Sequence, residues 1–276
     1  MSIGSKIFKL FVMFSIVSIP LFAGGVKLQY KLKPGQKWVC SLSSKNESSF
    51  MGEKSIDRSK REFVYKISKG KKPGWVSISA YIKSSPKDKE SGMDMSRMSF
   101  KSDMHKSGEL RHVQYSGSPF VQQSANIPPE MQAMMAQQEN MMGDMYKNAV
   151  FWFPELPEEK LQVGDEFDVK RAIGTGGGAM QTKTLIKQVF TLEDVSKGLA
   201  YFSVRQRSLT KTKSQIAGKS ETKTSGKGEA IFDLNNGMWL ELTEKSRAKI
   251  SLSGIAGMGD MSSDMKMVSK YEMELR

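Results

Sequence analysis

The sequence predicts a mainly β protein in which one antiparallel unit occurs twice. Three observations carry this. First, a phrase recurs: Leu32-Lys33-Pro34-Gly35-Gln36-Lys37-Trp38 and Leu161-Gln162-Val163-Gly164-Asp165-Glu166-Phe167 each run leucine, two residues, glycine, two polar residues, aromatic. Second, a later pair, Gly108-Glu109-Leu110 and Gly237-Met238-Trp239, keeps the same interval, since 164 − 35 and 237 − 108 are both 129. Third, apolar and polar residues alternate after each phrase, the period of a half-buried strand. Self-similarity at a fixed interval is the mark of a repeated structural unit. The expected fold is a duplicated antiparallel sheet, either a sandwich or an open half-barrel, with one helix between or against the two repeats. The expected boundaries are a signal peptide over 1–23, a first β repeat over 24–126, a linking helix over 127–153 and a second β repeat over 154–276.

Taken in order, the chain opens with Lys6 and Lys9, an apolar run from Leu10 to Phe22, and Ala23-Gly24-Gly25. A positive start, a short apolar stretch and a small-residue zone make a secretory leader. Cleavage is expected after Ala23 or Gly25, which sends the protein to the periplasm or the extracellular space, with no membrane span once the leader is gone. Val26, Leu28 and Tyr30 then alternate as a first strand. Pro34-Gly35 reads as a turn, because proline fixes φ and glycine accepts the positive φ that a type II turn needs. Trp38 to Leu42 is a second strand, followed by a polar stretch.

Phe63 to Ile67 and Trp75 to Ile82 form a hairpin around a basic loop, and Val189 to Leu192 with Ala200 to Val204 repeat it. Each half closes on a hairpin at its second glycine. In the second half the turn is Asn235-Asn236-Gly237, and Asn-Gly suits the φ > 0 positions of a tight hairpin. Between the halves, Met131, Met134, Met135, Met141, Met142 and Met145 fall at helical spacing from Pro128 to about Val150, and Pro154 ends the run.

This layout resembles an uncharacterised family of exported bacterial β-rich proteins. The resemblance rests on the leader, on the duplicated Gly-x-x-Trp/Phe strand start (Gly35-Gln36-Lys37-Trp38 and Gly164-Asp165-Glu166-Phe167), and on Pro154-Glu155-Leu156-Pro157 ahead of the second. It implies a fold and an exported address, and carries over no catalytic residue.

Composition narrows the function. The chain of 276 residues carries 42 Lys and Arg against 29 Asp and Glu, a formal charge of +13. The lysines are spread through strand-like segments, which suits solvated sheet faces or attraction to an anionic envelope surface. Nucleic acid is not an expected partner. Two histidines, His105 and His112, and one cysteine, Cys40, leave little for nucleophilic or zinc chemistry. Cys40 shares a strand face with Trp38 and Leu42 and reads as buried; both histidines read as surface residues. Gly174 to Gly178 lacks the Gly-Lys-Ser/Thr ending of a phosphate loop and reads as a strand connection.

Methionine is over-used, with 20 in the chain. Thioethers are soft Cu(I) ligands, so Met93, Met95, Met98, Met104 and His105 are a candidate metal set; methionine is equally a pliable core filler. The expected function is a non-enzymatic cell-envelope protein that binds or scaffolds and needs no cofactor. One alternative is a Met-rich Cu(I)-binding protein; another is a periplasmic carrier of a lipid or other apolar ligand held against the Met-lined helix.

Overall fold

The repeated phrase folds the same way twice. Gly35 and Gly164 take φ of 90° and 95°, a conformation that only glycine adopts without strain. The amide of Gly35 donates to the Ile67 carbonyl (2.9 Å) and that of Gly164 to Leu192 (2.7 Å). The Ile67 and Leu192 amides answer on Gln36 and Asp165, at 3.0 Å each. Even the side-chain lock is shared: Gln36 Oε1 accepts from the Lys33 amide, and Asp165 Oδ2 from the Gln162 amide. Each turn releases its chain into a strand that starts 129 residues from its counterpart, at Lys37 and Glu166 (166 − 37).

The computed structural model describes residues 25–50, 53–83, 94–120, 136, 139–140, 142–144, 146–147, 150–151, 153–175, 180–214, 218–253 and 261–276. The expected signal peptide and the start of the expected linking helix lie outside them. The described residues form eleven strands: β1 Lys37–Phe50, β2 Glu53–Lys69, β3 Trp75–Lys83, β4 Ser99–His105, β5 Leu110–Ser116, β6 Glu166–Thr175, β7 Met180–Ser196, β8 Leu199–Ser214, β9 Gly218–Asp233, β10 Met238–Ser253 and β11 Met261–Leu275. A short 3-10 turn, Met95–Arg97, leads into β4. Residues 136, 139–140, 142–144, 146–147 and 150 are helical, within the span expected for the helix.

All eleven strands belong to one antiparallel sheet, ordered β5-β4-β3-β2-β1-β11-β10-β9-β8-β7-β6. This corrects the sandwich expectation. Each half is a five-stranded meander, but β11 has no counterpart among the described residues of the first half and pairs with both β1 and β10. It joins the two meanders edge to edge in a single hydrogen-bonded ladder, so they cannot face each other as separate layers.

That sheet must curl. A flat sheet of eleven strands would hold β5 and β6 roughly 48 Å apart at the usual interstrand spacing. Yet the Leu156 amide donates to Ser107, in the β4–β5 turn, at 2.7 Å. Three residues earlier, the Phe153 carbonyl accepts from the Arg171 guanidinium on β6. Three residues reach at most about 11 Å, so the two edges have been drawn together around residues 153–156. The result is an open, curled sheet with that segment in its seam.

The N-terminal segment crosses the same space. Tyr30 donates its amide to Lys106 in the β4–β5 turn (2.9 Å), and Lys31 donates to Gly237 in the β9–β10 turn (3.2 Å). These are the two second-phrase hairpins, six strand positions apart along the sheet. Gly237 leaves no room for a side chain: a Cβ there would lie 2.3 Å from the Gln29 carbonyl. Val26, Leu28 and Tyr30 are buried, as their alternation predicts. They do not form a strand, however; apart from a bridge of Val26 to Leu161, their partners are turns.

The core fills one end of the curl. Trp38, Phe63, Tyr65, Ile78, Phe100, Phe190, Phe202, Phe232 and Trp239 point inward, and Val150, Phe151, Phe153 and Leu156 pack among them. The Tyr65 hydroxyl donates to the Val150 carbonyl at 2.8 Å, fixing the end of the helix. Tyr30 sits at the centre, edge-on to Phe153 and Phe232, with its hydroxyl donating to Pro154 (2.9 Å) and accepting from the Trp239 indole (3.0 Å). Replacing Tyr30 by Phe keeps the ring but orphans a buried indole N–H and a buried carbonyl. The expected loss is about 2–4 kcal/mol of stability, read from the denaturant midpoint; a loss under about 0.5 kcal/mol would show that this junction does not hold the curl.

Candidate functional site: a cationic groove across the outer face

Beyond the core the long strands continue, and their two faces diverge in chemistry. Residues on the core side become small and hydroxylic. Cross-strand pairs Ser44–Ser59, Ser48–Ser55, Thr182–Thr212, Thr184–Thr210 and Gln188–Gln206 bond each other at 2.8–3.0 Å. The polar stretch after Leu42, which lacks apolar alternation, continues as strand, with β1 running to Phe50 and β2 starting at Glu53. Successive side chains alternate between faces, so the residues between these inward ones point out, and many of them are Lys or Arg.

Register gathers the cations into two rows that cross five strands. One row is Val189, Arg205, Lys227, Lys245 and Val268; the other is Lys187, Arg207, Ser225, Arg247 and Lys266. Between them lies the backbone of Gln206, Gly226, Ser246 and Met267; the side chains of Gln206, Ser246 and Met267 face inward, and Gly226 has none. These residues line a groove of about 840 Å³. Two residues of strand separate the rows by about 6.8 Å, and four interstrand steps give a length of about 19 Å. The walls are aliphatic stems tipped with charge, seven Lys and Arg in all, and no carboxylate lines the groove.

Among the described residues, neutralising acids sit only at its margins. Arg205 pairs with Glu166 at 2.6 Å and Lys187 with Asp168 at 3.3 Å. Hydrogen bonds from Lys170 and Lys187 hold the Asp168 carboxyl below its ordinary range. Glu221, beyond the groove, is held low mainly by Lys223 and serves Lys211 as well. Arg207, Lys227, Lys245 and Arg247, in the middle, make no ion pair with a described residue. Like charges opposite one another across a sheet are destabilising, and here Arg205, Lys227 and Lys245 stand abreast on neighbouring strands. A surface selected for solubility alone would intersperse the signs.

The sequence-predicted metal set lies elsewhere. Met93 is outside the described residues. Met95, Met98 and Met104 are buried in the core cluster. His105 neighbours Met104 on β4, and adjacent strand residues project to opposite faces. Its ring lies against Trp75 (5.2 Å between centroids), and its Nδ1 is 2.9 Å from the Ser107 hydroxyl. It is half-buried, whereas His112 is exposed, as expected for a surface residue. Cys40 is buried. Of the helix methionines only Met142 has a described side chain, half-buried against the core.

No protein-family model matches the chain, and no curated protein matches it. Solved structures that resemble it include Neisserial surface protein A, with TM-score 0.24 and 5% identity over 86% of this chain and 96% of that one. The attachment invasion locus protein Ail of Yersinia pestis has TM-score 0.19 and 7% identity over 88% and 100%. An anion-selective porin from Comamonas acidovorans has TM-score 0.28 and 10% identity over 86% and 98%.

On the inner face, directly behind the groove, Glu244 is buried with no hydrogen-bond or ion-pair partner among the described residues. Its Oε1 occupies the space over Gly226, where a Cβ would lie 2.7 Å from it. Burial pushes its carboxyl up from an ordinary 4.5 to about 7. A carboxyl raised on folding binds its proton more tightly in the native state, so stability falls as pH climbs from about 4.5 to 7. The Glu244→Gln variant removes this liability. It should be about 2–3 kcal/mol more stable than the parent at pH 8 and nearly equal to it at pH 4, by urea midpoints at the two pH values. Equal gains at both pH values would contradict a titrating carboxyl.

Proposed function

We propose that this is an exported, non-enzymatic binding protein of the cell envelope that attaches to an anionic envelope component through its outer cationic face. The observation that carries the reading is the concentration, at the centre of one face of the sheet, of cations that pair with no acid among the described residues, with described acids at the margin. The leader-like start supports the exported location.

A lipid-spanning barrel is disfavoured by the same cations. Each Lys or Arg facing lipid at the bilayer midplane costs about 2–4 kcal/mol, and the outward positions of β7 to β10 carry them in series. The copper reading finds Met95, Met98 and Met104 closely packed in the core. For an apolar carrier, the curled sheet has its apolar end filled by Tyr30, Phe153 and their neighbours, and the rest of its inner wall is lined with hydroxyls. Both observations favour attachment from outside over enclosure.

The experiment compares the leaderless protein on immobilised dextran sulfate, on neutral dextran, on phosphatidylglycerol vesicles and on phosphatidylcholine vesicles. Binding is expected on the anionic supports alone. It should disappear near 1 M salt, where the screening length falls to about 3 Å. Equal retention on neutral supports, or binding that ignores salt, would overturn the reading.

A further inference from the structure

We infer that the groove takes a single extended chain of an acidic polysaccharide, lying across β7 to β11 at right angles to the strands; this rests on the proposed attachment to an anionic component. The first ground is shape. Two charged rows about 6.8 Å apart bound a trench that admits one polymer chain between them. A bilayer surface would meet the rims of the trench and leave its floor empty. The second ground is the centre of the groove. Ser225 is the one small side chain in its row, flanked across the sheet by Arg207 and Arg247. The gap leaves an acidic substituent room to reach the Ser225 hydroxyl with a guanidinium on either side, and the planar fork of arginine suits carboxylate, sulfate or phosphate oxygens.

The third ground separates polymers. None of the lining residues is aromatic. Single-stranded nucleic acid is held largely by stacking its bases on aromatic rings, so a chain of unstacked, hydroxyl-bearing rings fits this groove better. The aliphatic stems of Lys227, Lys245, Arg205 and Arg207 offer the C–H faces of such rings an apolar wall, while their tips reach the acidic groups.

The test titrates the leaderless protein with galacturonate oligomers of graded length. Affinity should climb until the chain spans about 19 Å, the width of five strands, and then level off. R207A/R247A should weaken binding at least tenfold, a change of about 1.4 kcal/mol. K54A/K60A removes the same charge from the exposed part of β2, outside the groove, and should change affinity by less than about twofold. R207K/R247K, which keeps the charge and loses the forks, should fall between. All positions are exposed, and thermal melts confirm that each variant is folded. Equal losses in the two alanine pairs, or affinity that rises with length without limit, would overturn the groove. Tighter binding of a single-stranded oligonucleotide than of galacturonate would overturn the choice of polymer. Retention on anionic vesicles without binding of any chain would sink this inference and spare the broader reading; failure on every anionic support would sink both.

Discussion

Tyr30 is the side chain on which the architecture turns. Its backbone ties the N-terminal segment to the β4–β5 hairpin, its neighbour Lys31 ties it to the β9–β10 hairpin, and its hydroxyl links the seam segment to Trp239. An antiparallel sheet of eleven strands has no intrinsic reason to curl until its edges approach each other. Two equivalent hairpins, one from each repeat, meet here because a buried tyrosine satisfies polar groups from three separate stretches of chain at once. Burial keeps its phenol strongly protonated, so the hydroxyl remains a donor at every ordinary pH.

From that junction the protein divides into a dry end and a wet end. At the dry end, rings of the second repeat interlock, with Phe190, Phe202 and Phe232 all within 5.4 Å of Trp239 between centroids, and Tyr30 meets them edge-on at Phe232. At the wet end the sheet is a palisade whose hydroxyls face in and whose cations face out. Strands with two polar faces gain little from burial, so they depend on their ladder and on the core below them. The duplication explains how this is arranged: identical turns at Gly35 and Gly164 launch each meander from the core end. β11 then welds the two into one surface wide enough for a groove to cross five strands.

What the sequence made legible was what local chemistry dictates. The paired glycine turns, the closing hairpins at Gly108 and Gly237, and the burial of Cys40, Trp38 and Phe167 follow from φ preferences and a period of two. Long-range pairing was not legible. Nothing near Met261 to Leu275 announces that it will bond to β1 on one side and β10 on the other. The stretch from Ser43 to Phe50 read only as polar because a strand wet on both faces lacks apolar alternation. Val26 to Tyr30 alternated as a strand would, and is buried as one, yet its hydrogen bonds go mostly to turns. The groove was hidden for a related reason. Lys227, Lys245 and Arg205 are far apart in the chain and become neighbours only through register. The available signal was parity, since the lysines of 211–213, 219–227 and 245–249 share one face of their strands.

Covalent footprinting reads the central claim residue by residue. The leaderless protein is acetylated briefly in the presence and absence of an acidic polysaccharide, and the modified lysines are identified by mass spectrometry. A chain seated in the groove predicts protection of Lys227 and Lys245, which stand together in its central wall, while Lys54 and Lys60 on β2 react as before. Protection spread evenly over all exposed lysines, or confined to β2 with Lys227 and Lys245 still reactive, would contradict it.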